Sequence, residues 1–315
     1  MDGLIFFHKE LKTFRFPYYL PNNKLRQLAR RTIGFEGWMK GDLTLNDAFQ
    51  NLLPARFKKE GVGERLWEYT KKNLDALFAR NGLYDAGYVS LFGHAFYPAQ
   101  GTNRLHSWLD TFKTVSEAIV CDQYHAQKSI KEDSVVIDAG ANIGAFSVFA
   151  AHLAPKGRIY CFEPTPETFA ILQKNTREYP HITLFPMALG ETKKNIDLII
   201  NEGAQAANTL ADSGMLDSHS AKHFGRRVSV RVTTIDALGL ERVDFIKMDA
   251  EGYEKQIIEG ARHTIKTCSP LMSLSAYHRP GDKKDIPALV RSIDPGYKFN
   301  IDARSEEDIF FWKDT

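Results

Sequence analysis

Acidic side chains follow an apolar segment near residue 245, and they are the residues of this sequence best suited to chemistry. The segment from Val243 to Met248 predicts a buried strand that delivers Asp249 and Glu251 to the edge of a sheet. Glu254 begins the next predicted helix, where a carboxylate often only caps the helix. Because Asp249 and Glu251 precede that helix, we expect both to face a ligand.

A histidine follows the next predicted strand, 271–277. His278 and Arg279 should therefore lie on the same rim as the acids. A hydroxyl group is a poor nucleophile at neutral pH, and imidazole, with an ordinary pKa of about 6.5, can accept its proton as the oxygen attacks. His278 and Asp249 are both candidate general bases. The residues expected to contact the acceptor are Glu251, Tyr277 and Arg279.

A glycine-containing turn lies about 100 residues upstream of these acids, between a predicted strand that ends at Asp138 and an apolar helix. Gly140 and Gly144 allow the backbone to approach a ligand closely. Glu163 stands 25 residues after Asp138, at the end of the next predicted strand, where an acid can accept both hydroxyls of a ribose. This arrangement is typical of a site for an adenosine-containing cofactor.

The spacing of the two glycines distinguishes between cofactors. Gly140 and Gly144 form G-x-x-x-G, which lacks the G-x-G-x-x-G pattern that brings a pyrophosphate against a helix amino terminus. The spacing favours S-adenosylmethionine over NAD. An NAD-dependent oxidoreductase would use Glu163 in the same way and is the less favoured alternative.

Strands and helices alternate from residue 135 onwards, which predicts an α/β fold with helices on both faces of a parallel sheet. The end of the chain differs, because two apolar segments joined by a short polar loop predict an antiparallel hairpin. Together these features predict a class I methyltransferase fold, Rossmann-like, with a mostly parallel seven-stranded sheet. The predicted elements are strands 135–138, 158–163, 182–187, 243–248 and 271–277, helices 143–153 and 165–178, and the hairpin 297–302 with 309–313.

Residues 194–233 interrupt this alternation with two strand-like segments around a loop rich in glycine and alanine. Because a long loop in a compact domain is usually functional or disordered, we expect a flap over the active site. A helix over 116–129 should lead into the domain.

The length of 315 residues accommodates a methyltransferase domain at 116–315 and a mainly helical extension at 1–115. The chain has a net charge of +2, but residues 1–72 contain 14 Lys or Arg and 8 Asp or Glu. This basic segment fits either a solvated helical surface or attraction to an anionic partner.

Cysteine usage and the amino terminus predict a cytoplasmic protein. Cys121, Cys161 and Cys268 form no C-x-x-C pair, so neither a disulfide framework nor a cysteine zinc site is expected. The first residues contain too short an apolar run for a signal peptide, and no apolar run approaches the roughly 18 residues of a membrane span.

These motifs together resemble the FkbM family of S-adenosylmethionine-dependent methyltransferases over roughly residues 120–312. The resemblance implies methylation of a hydroxyl group on a sugar, a glycan or a natural product. The motifs that carry it are Val136-Ile-Asp-Ala-Gly-Ala-Asn-Ile-Gly144, Phe162-Glu-Pro164, Ala188-Leu-Gly190, Lys247-Met-Asp-Ala-Glu-Gly-Tyr-Glu254 and Tyr277-His278.

The resemblance also implies roles for individual residues. Glu163 would bind the ribose hydroxyls, Ala188 would contact the adenine through its backbone, and Asp249 and His278 would face the acceptor. The full set expected at the cofactor is Asp138, Gly140, Asn142, Gly144, Glu163, Ala188 and Asp249.

Two alternatives on the same fold remain open. Asp249 and Glu251 could bind Mg²⁺, which would activate the hydroxyl group. A module that binds a glycan without catalysis is the other alternative. The expected partners are a small-molecule or glycan acceptor and a second copy of the chain in a homodimer. No nucleic acid is expected, because an N-P-P-Y-type motif is absent.

Overall fold

The computed structural model of the protein describes residues 87–91, 94–98, 107, 110–111, 114–120, 122–200, 208–211, 226–302 and 308–314. The chain divides into two compact units, Met1–Pro98 with Trp108–Lys113 and Ala99–Ser107 with Thr114–Thr315. In the first unit, the described residues include an antiparallel hairpin of β1 (Val89–Leu91) and β2 (His94–Phe96). The predicted helical extension at 1–115 lies almost entirely outside the described residues.

The second unit contains alternating strands and helices. Its described strands are β3 (Val135–Ala139), β4 (Arg158–Phe162), β5 (Ile182–Phe185), β6 (Ala188–Leu189), β7 (Lys194–Ile200), β8 (Thr209–Leu210), β9 (Arg226–Thr233), β10 (Phe245–Met248), β11 (Leu271–Leu274), β12 (Lys298–Asp302) and β13 (Asp308–Trp312). Its described α-helices are α1 (Ala126–Ser129), α2 (Ala145–Leu153), α3 (Pro166–Thr176), α4 (Glu254–Glu259), α5 (Arg262–Cys268) and α6 (Asp282–Ile293).

The main sheet has seven strands in the order β12-β13-β11-β10-β3-β4-β5. Neighbouring strands are parallel from β11 to β5, whereas β13 is antiparallel to both β11 and β12. This topology confirms the predicted Rossmann-like α/β fold with its terminal antiparallel hairpin. The hairpin forms where it was expected, with Phe299 opposite Phe311.

Apolar side chains of the central strands form the core of the sheet. Ile137, Ile246 and Met272 are fully buried on three adjacent strands. Each such side chain contributes about 1.5–3 kcal/mol by leaving water. Continuous apolar runs, rather than alternating ones, are required here because helices cover both faces of a parallel sheet.

The chain order reverses between β3 and β10, the two strands at the centre of the sheet. On one side of β3 the sheet continues with β4 and β5, and on the other side with β10 and β11. Ligands of open α/β sheets bind at such a switch point, in the crevice at the carboxyl ends of the strands. The residues after β3 and β10 therefore line the expected site.

The segment that interrupts the alternation forms most of a separate four-stranded sheet, in the order β6-β9-β7-β8. One of its described residues, Asn208, donates a hydrogen bond from Nδ2 to Thr165 Oγ1, at 3.3 Å, in the loop after β4. The remainder of the predicted flap, residues 201–207 and 212–225, lies outside the described residues.

The predicted helix over 116–129 is wrong as a single element. Ser116–Val120 forms a π-helical turn, α1 begins only at Ala126, and residues 122–125 form a turn in which the His125 N–H donates to the carbonyl oxygen of Asp122 at 2.9 Å. Asp122 and His125 have φ angles of 46° and 57°. A right-handed helix cannot pass through such left-handed residues, and neither is a glycine that would have marked the break. The strand predicted at 271–277 also ends early, at Leu274. Among the described residues, no helix has both the length and the apolar character needed to cross a membrane.

Candidate active site

The turn between β3 and α2 packs directly against the residue that follows β10. Gly140 has a φ of +75°, and a Cβ atom there would lie 1.9 Å from the carbonyl oxygen of Asp249. Gly144 has a φ of +89°, and a Cβ atom there would lie 2.7 Å from Leu172 Cδ1 on α3. Packing against backbone therefore requires glycine at 140, whereas at 144 the positive φ is the main reason for glycine, and Gly140 brings the glycine turn against Asp249.

Asp138 is fully buried near the end of β3 and contacts two polar side chains of the protein. Its carboxylate accepts a hydrogen bond of 2.6 Å from Ser147 Oγ and lies 3.1 Å from Lys247 Nζ. Lys247 also donates to the carbonyl oxygen of Gly140 at 2.6 Å. Its ammonium group thus ties together β3, β10 and the glycine turn.

Lys247 is a buried residue beside the glycine turn whose contacts the sequence reasoning missed. Burial lowers the pKa of its ammonium group, but the carboxylates of Asp138 and Asp249 outweigh this effect, and the pKa lies above its ordinary value. Lys247 is therefore a buried cation. The available signal was a lysine inside an otherwise apolar strand, which requires a buried acid as its partner.

Glu163 follows β4 and is buried where the ribose was expected. One carboxylate oxygen accepts the backbone N–H of Asn142 at 3.0 Å, and the other accepts that of Thr165 at 2.8 Å. Burial raises the pKa of Glu163, although these hydrogen bonds oppose the shift. The carboxylate joins the glycine turn to the start of α3. Ala188, also buried, lies on β6 opposite Val232.

Four side chains meet beyond the carboxyl ends of β10 and β11, and we call them the acid–histidine cluster: Asp249, Glu251, Glu254 and His278. His278 Nε2 lies 3.8 Å from Asp249 Oδ1 and 3.3 Å from Glu251 Oε2. His278 Nδ1 lies 3.2 Å from Glu254 Oε1. The structure therefore brings together the predicted Asp249, Glu251 and His278 and adds Glu254.

A tight loop places the acids around the histidine. Glu251 and Gly252 have φ angles of 51° and 87°, which turn the chain sharply before α4. Glu254 accepts the backbone N–H groups of Ala250 at 2.8 Å and Gly252 at 3.4 Å. Its carboxylate thus holds the loop that precedes the helix while one oxygen faces His278.

The imidazole of His278 is only 3% exposed. Burial alone would lower the pKa of His278, but the carboxylates of Glu251, Glu254 and Asp249 outweigh it and raise the pKa to about 11. His278 is therefore an imidazolium at neutral pH in the ligand-free protein. Burial, together with the charge of Asp249, raises the pKa of Glu251 despite the neighbouring histidine.

Tyr124 is a second residue that the sequence reasoning missed. Its hydroxyl donates to Asp249 Oδ2 at 3.0 Å, and its ring packs edge-on against Phe146 with centroids 5.4 Å apart. Lys247 Nζ lies 5.3 Å from the centre of the same ring. No local pattern marked this tyrosine, because its partner lies 125 residues away in the chain.

The predicted acceptor residues on the rim take different positions. Tyr277 is 39% exposed as a residue, and its ring centroid lies 4.1 Å from that of His278. The backbone N–H of Arg279 donates to Asp282 Oδ2 at 3.1 Å, at the start of α6, and the buried Nε and Nη2 atoms of its side chain have no hydrogen-bond partner among the described residues. Tyr277 therefore offers an aromatic surface beside the cluster.

Comparison with known proteins gives a family match. A sequence model of the family described as Methyltransferase FkbM domain matches residues 138–300, just over half of the chain. The match spans every residue of the acid–histidine cluster together with the glycine turn and Glu163.

Three relatives show the range of similarity. The 2-O-methyltransferase NoeI of Sinorhizobium fredii is 30% identical over 146 residues, which are 43% of this chain and 60% of NoeI. The hexuronic acid methyltransferase AglP of Haloferax volcanii is 24% identical over 164 residues, 51% of this chain and 62% of AglP. The 31-O-demethyl-FK506 methyltransferase FkbM of Streptomyces tacrolimicus is 22% identical over 209 residues, 58% of this chain and 78% of that protein. The chain thus spans less than two thirds of the length of NoeI and AglP.

Proposed function

The chain belongs to the FkbM methyltransferase family, and we propose that it transfers the methyl group of S-adenosylmethionine to a hydroxyl group of a sugar, a glycan or a natural product. One observation carries this proposal. The glycine turn after β3 packs against Asp249, so the expected cofactor site and the acid–histidine cluster share one crevice at the switch point of the sheet.

Glu163 is the proposed ligand of the ribose hydroxyls. Its oxygens accept two backbone N–H groups and one side-chain hydrogen bond, and since a carboxylate can accept about four hydrogen bonds, capacity remains for a ribose hydroxyl. Asn142 lies beside it, and the backbone of Ala188 is the proposed adenine contact. The proposed role of Asp138 at the cofactor is indirect: its carboxylate holds Lys247, and Lys247 in turn holds the glycine turn.

The chemical step needs a proton acceptor near the attacking oxygen. In this step the acceptor oxygen attacks the methyl carbon, the carbon–sulfur bond breaks with its electron pair moving to sulfur, and the hydroxyl proton passes to the protein. Asp249 can take that proton directly. His278 can take it only after losing its own proton, which a sulfonium cation beside the cluster promotes because like charges oppose each other.

A sugar hydroxyl is the favoured acceptor. NoeI and AglP are named for methylation at a 2-O position and of a hexuronic acid. The exposed ring of Tyr277, next to His278, supports this choice, since the C–H face of a sugar ring packs well on an aromatic surface.

Deuterated methyl transfer tests the proposal. The full chain is incubated with S-adenosylmethionine carrying a CD₃ group and a panel of neutral sugars, uronic acids and polyketide alcohols, and products are read by mass spectrometry. We expect a CD₃ ether on at least one acceptor. His278→Ala should keep cofactor binding and lose turnover, whereas His152→Ala, an exposed histidine of α2, should keep both.

A divalent cation is a second candidate ligand of the cluster. Ligand atoms of Asp249, Glu254 and His278 lie within 4.8 Å of one another, a different set from the predicted pair of Asp249 and Glu251. An imidazole in the set suits Zn²⁺ or Fe²⁺ better than Mg²⁺. Turnover that disappears in EDTA and returns with one of these ions would favour this version of the reaction.

A further inference from the structure

The carboxylate of Asp249 is held at one oxygen only. Tyr124 donates to Oδ2, whereas Oδ1 is buried and accepts no hydrogen bond from the described residues. A buried carboxylate oxygen without a donor is costly, because it has lost its water without compensation. Its environment therefore favours a ligand that supplies positive charge.

His278 does not satisfy this oxygen. Nε2 lies 3.8 Å from Asp249 Oδ1, and neither ring nitrogen of this buried side chain is aligned for a hydrogen bond within the described residues. The single positive charge of the imidazolium is also shared with Glu254, whose oxygen lies nearer, at 3.2 Å. Even when His278 is protonated, the two negative charges of Asp249 and Glu254 exceed its one positive charge. This part of the cluster therefore has an excess negative charge.

Two lysines near the cluster have acids of their own, and the charge of Arg279 acts on Asp282. Lys247 lies 3.1 Å from Asp138, and Lys255 lies 3.4 Å from Asp282 and 3.2 Å from Asp285. Within the part of the chain that the structure describes, neither lysine forms an ion pair with Asp249. The excess charge therefore faces the crevice beside the glycine turn.

We propose that Asp249 recognises the positive charge of the sulfonium, so that the enzyme distinguishes S-adenosylmethionine from its uncharged thioether product, S-adenosylhomocysteine. This inference rests on the proposed function. Transfer of the methyl group turns the sulfonium into a neutral thioether and removes the charge that Asp249 attracts. Loss of that attraction weakens product binding relative to donor binding, which favours exchange of product for a new donor.

Calorimetric titration with three ligands tests this inference without an acceptor. The ligands are S-adenosylmethionine, S-adenosylhomocysteine and sinefungin, which carries an amine in place of the methyl sulfonium. EDTA is present throughout, so that no divalent cation occupies the cluster. The proteins are the wild type, Asp249→Asn, and Asp285→Asn as a control at an exposed carboxylate on α6.

We expect Asp249→Asn to bind both cationic ligands about tenfold more weakly, equivalent to 1.4 kcal/mol, and the thioether as tightly as the wild type does. Asp285→Asn should leave all three affinities unchanged. Equal losses for the three ligands would overturn the inference, because Asp249 would then contact a group they share, and so would no loss for any of them.

Two further results keep the test decisive. Should Asp249→Asn fail to fold, the wild type alone decides: tighter binding of both cationic ligands supports the inference, and equal or tighter binding of the thioether overturns it. If the folded wild type binds none of the three, the proposed function itself fails, and the inference fails with it.

Discussion

His278 links the candidate active site to the stability of the fold. Its pKa in the folded protein, about 11, lies above the ordinary value of about 6.5 expected in the unfolded chain. Folding therefore favours the charged imidazole. This contribution is present in full below about pH 6.5 and is lost as the pH rises towards 11.

We predict that replacing His278 with glutamine destabilises the protein most at low pH. The difference in free energy of unfolding between wild type and His278→Gln should be largest near pH 6 and should shrink steadily up to pH 10. Urea denaturation at a series of pH values measures it, with His152→Gln as the control. A difference that stays constant or grows with pH would contradict the charged state assigned to His278.

Gly140 and Gly239 have similar backbone conformations but different surroundings. Both have positive φ angles, +75° and +64°, yet a Cβ at Gly140 would meet the Asp249 carbonyl at 1.9 Å, whereas nothing lies within 4 Å of one at Gly239. Gly239→Ala should therefore cost about 1 kcal/mol from conformational strain alone. Gly140→Ala should cost about 3 kcal/mol or more. Similar unfolding midpoints in urea for the two variants would argue against the close packing of the glycine turn on Asp249.

A buried ion pair between Asp138 on β3 and Lys247 on β10 links the two central strands of the sheet. Lys247 and Asp138 are partners in the strand register as well as in charge. Replacing Lys247 with methionine leaves Asp138 buried without its cation, and we predict a loss of about 3–5 kcal/mol. Lys156→Met, at an exposed pair with Glu132, should cost less than about 1 kcal/mol. Chemical denaturation measures the free energy of unfolding of the two variants and of the wild type.

A second substitution separates the charge from packing. In Asp138→Asn/Lys247→Met, neither member of the pair is charged, so part of the lost stability should return. If the double variant is as unstable as the sum of the two single variants, the ion pair is not the reason for the buried lysine.

The order of the elements was predictable because each leaves a local pattern. Apolar strands, the glycine turn and the polar loop of the hairpin all act over a few residues, and the sheet formed as those patterns predicted. The single helix at 116–129 was wrong, since Asp122 and His125 adopt left-handed conformations that their residue types do not announce. Tyr124 and Lys247 were missed for a related reason: their roles depend on partners more than 100 residues away in the chain.

The candidate site was predictable to a similar extent. The position of an acid or histidine after a parallel strand placed Asp249, Glu251 and His278 at one edge, and the structure brings them together. The contact of Glu254 with His278 depends on the loop between β10 and α4, whose left-handed Glu251 could not be read from the sequence.

At the scale of the whole molecule, charge is distributed unevenly. Residues 1–72 are basic, with 14 Lys or Arg against 8 Asp or Glu, and the remainder of the chain is correspondingly acidic. The mainly helical extension, the flap and the homodimer stay predictions. Sedimentation velocity tests the homodimer. We expect a species of twice the 35.7 kDa chain mass.

Calorimetric titration of the full chain with S-adenosylmethionine and, separately, with NAD distinguishes a methyl-donor site from a dinucleotide site. We predict micromolar binding of S-adenosylmethionine and none of NAD. Glu163→Ala should abolish this binding, and Glu178→Ala, an exposed acid of the same type beyond α3, should keep it. Binding of NAD, or a folded wild-type protein that binds neither ligand, would contradict the assignment of the glycine turn and Glu163 to a methyl-donor site.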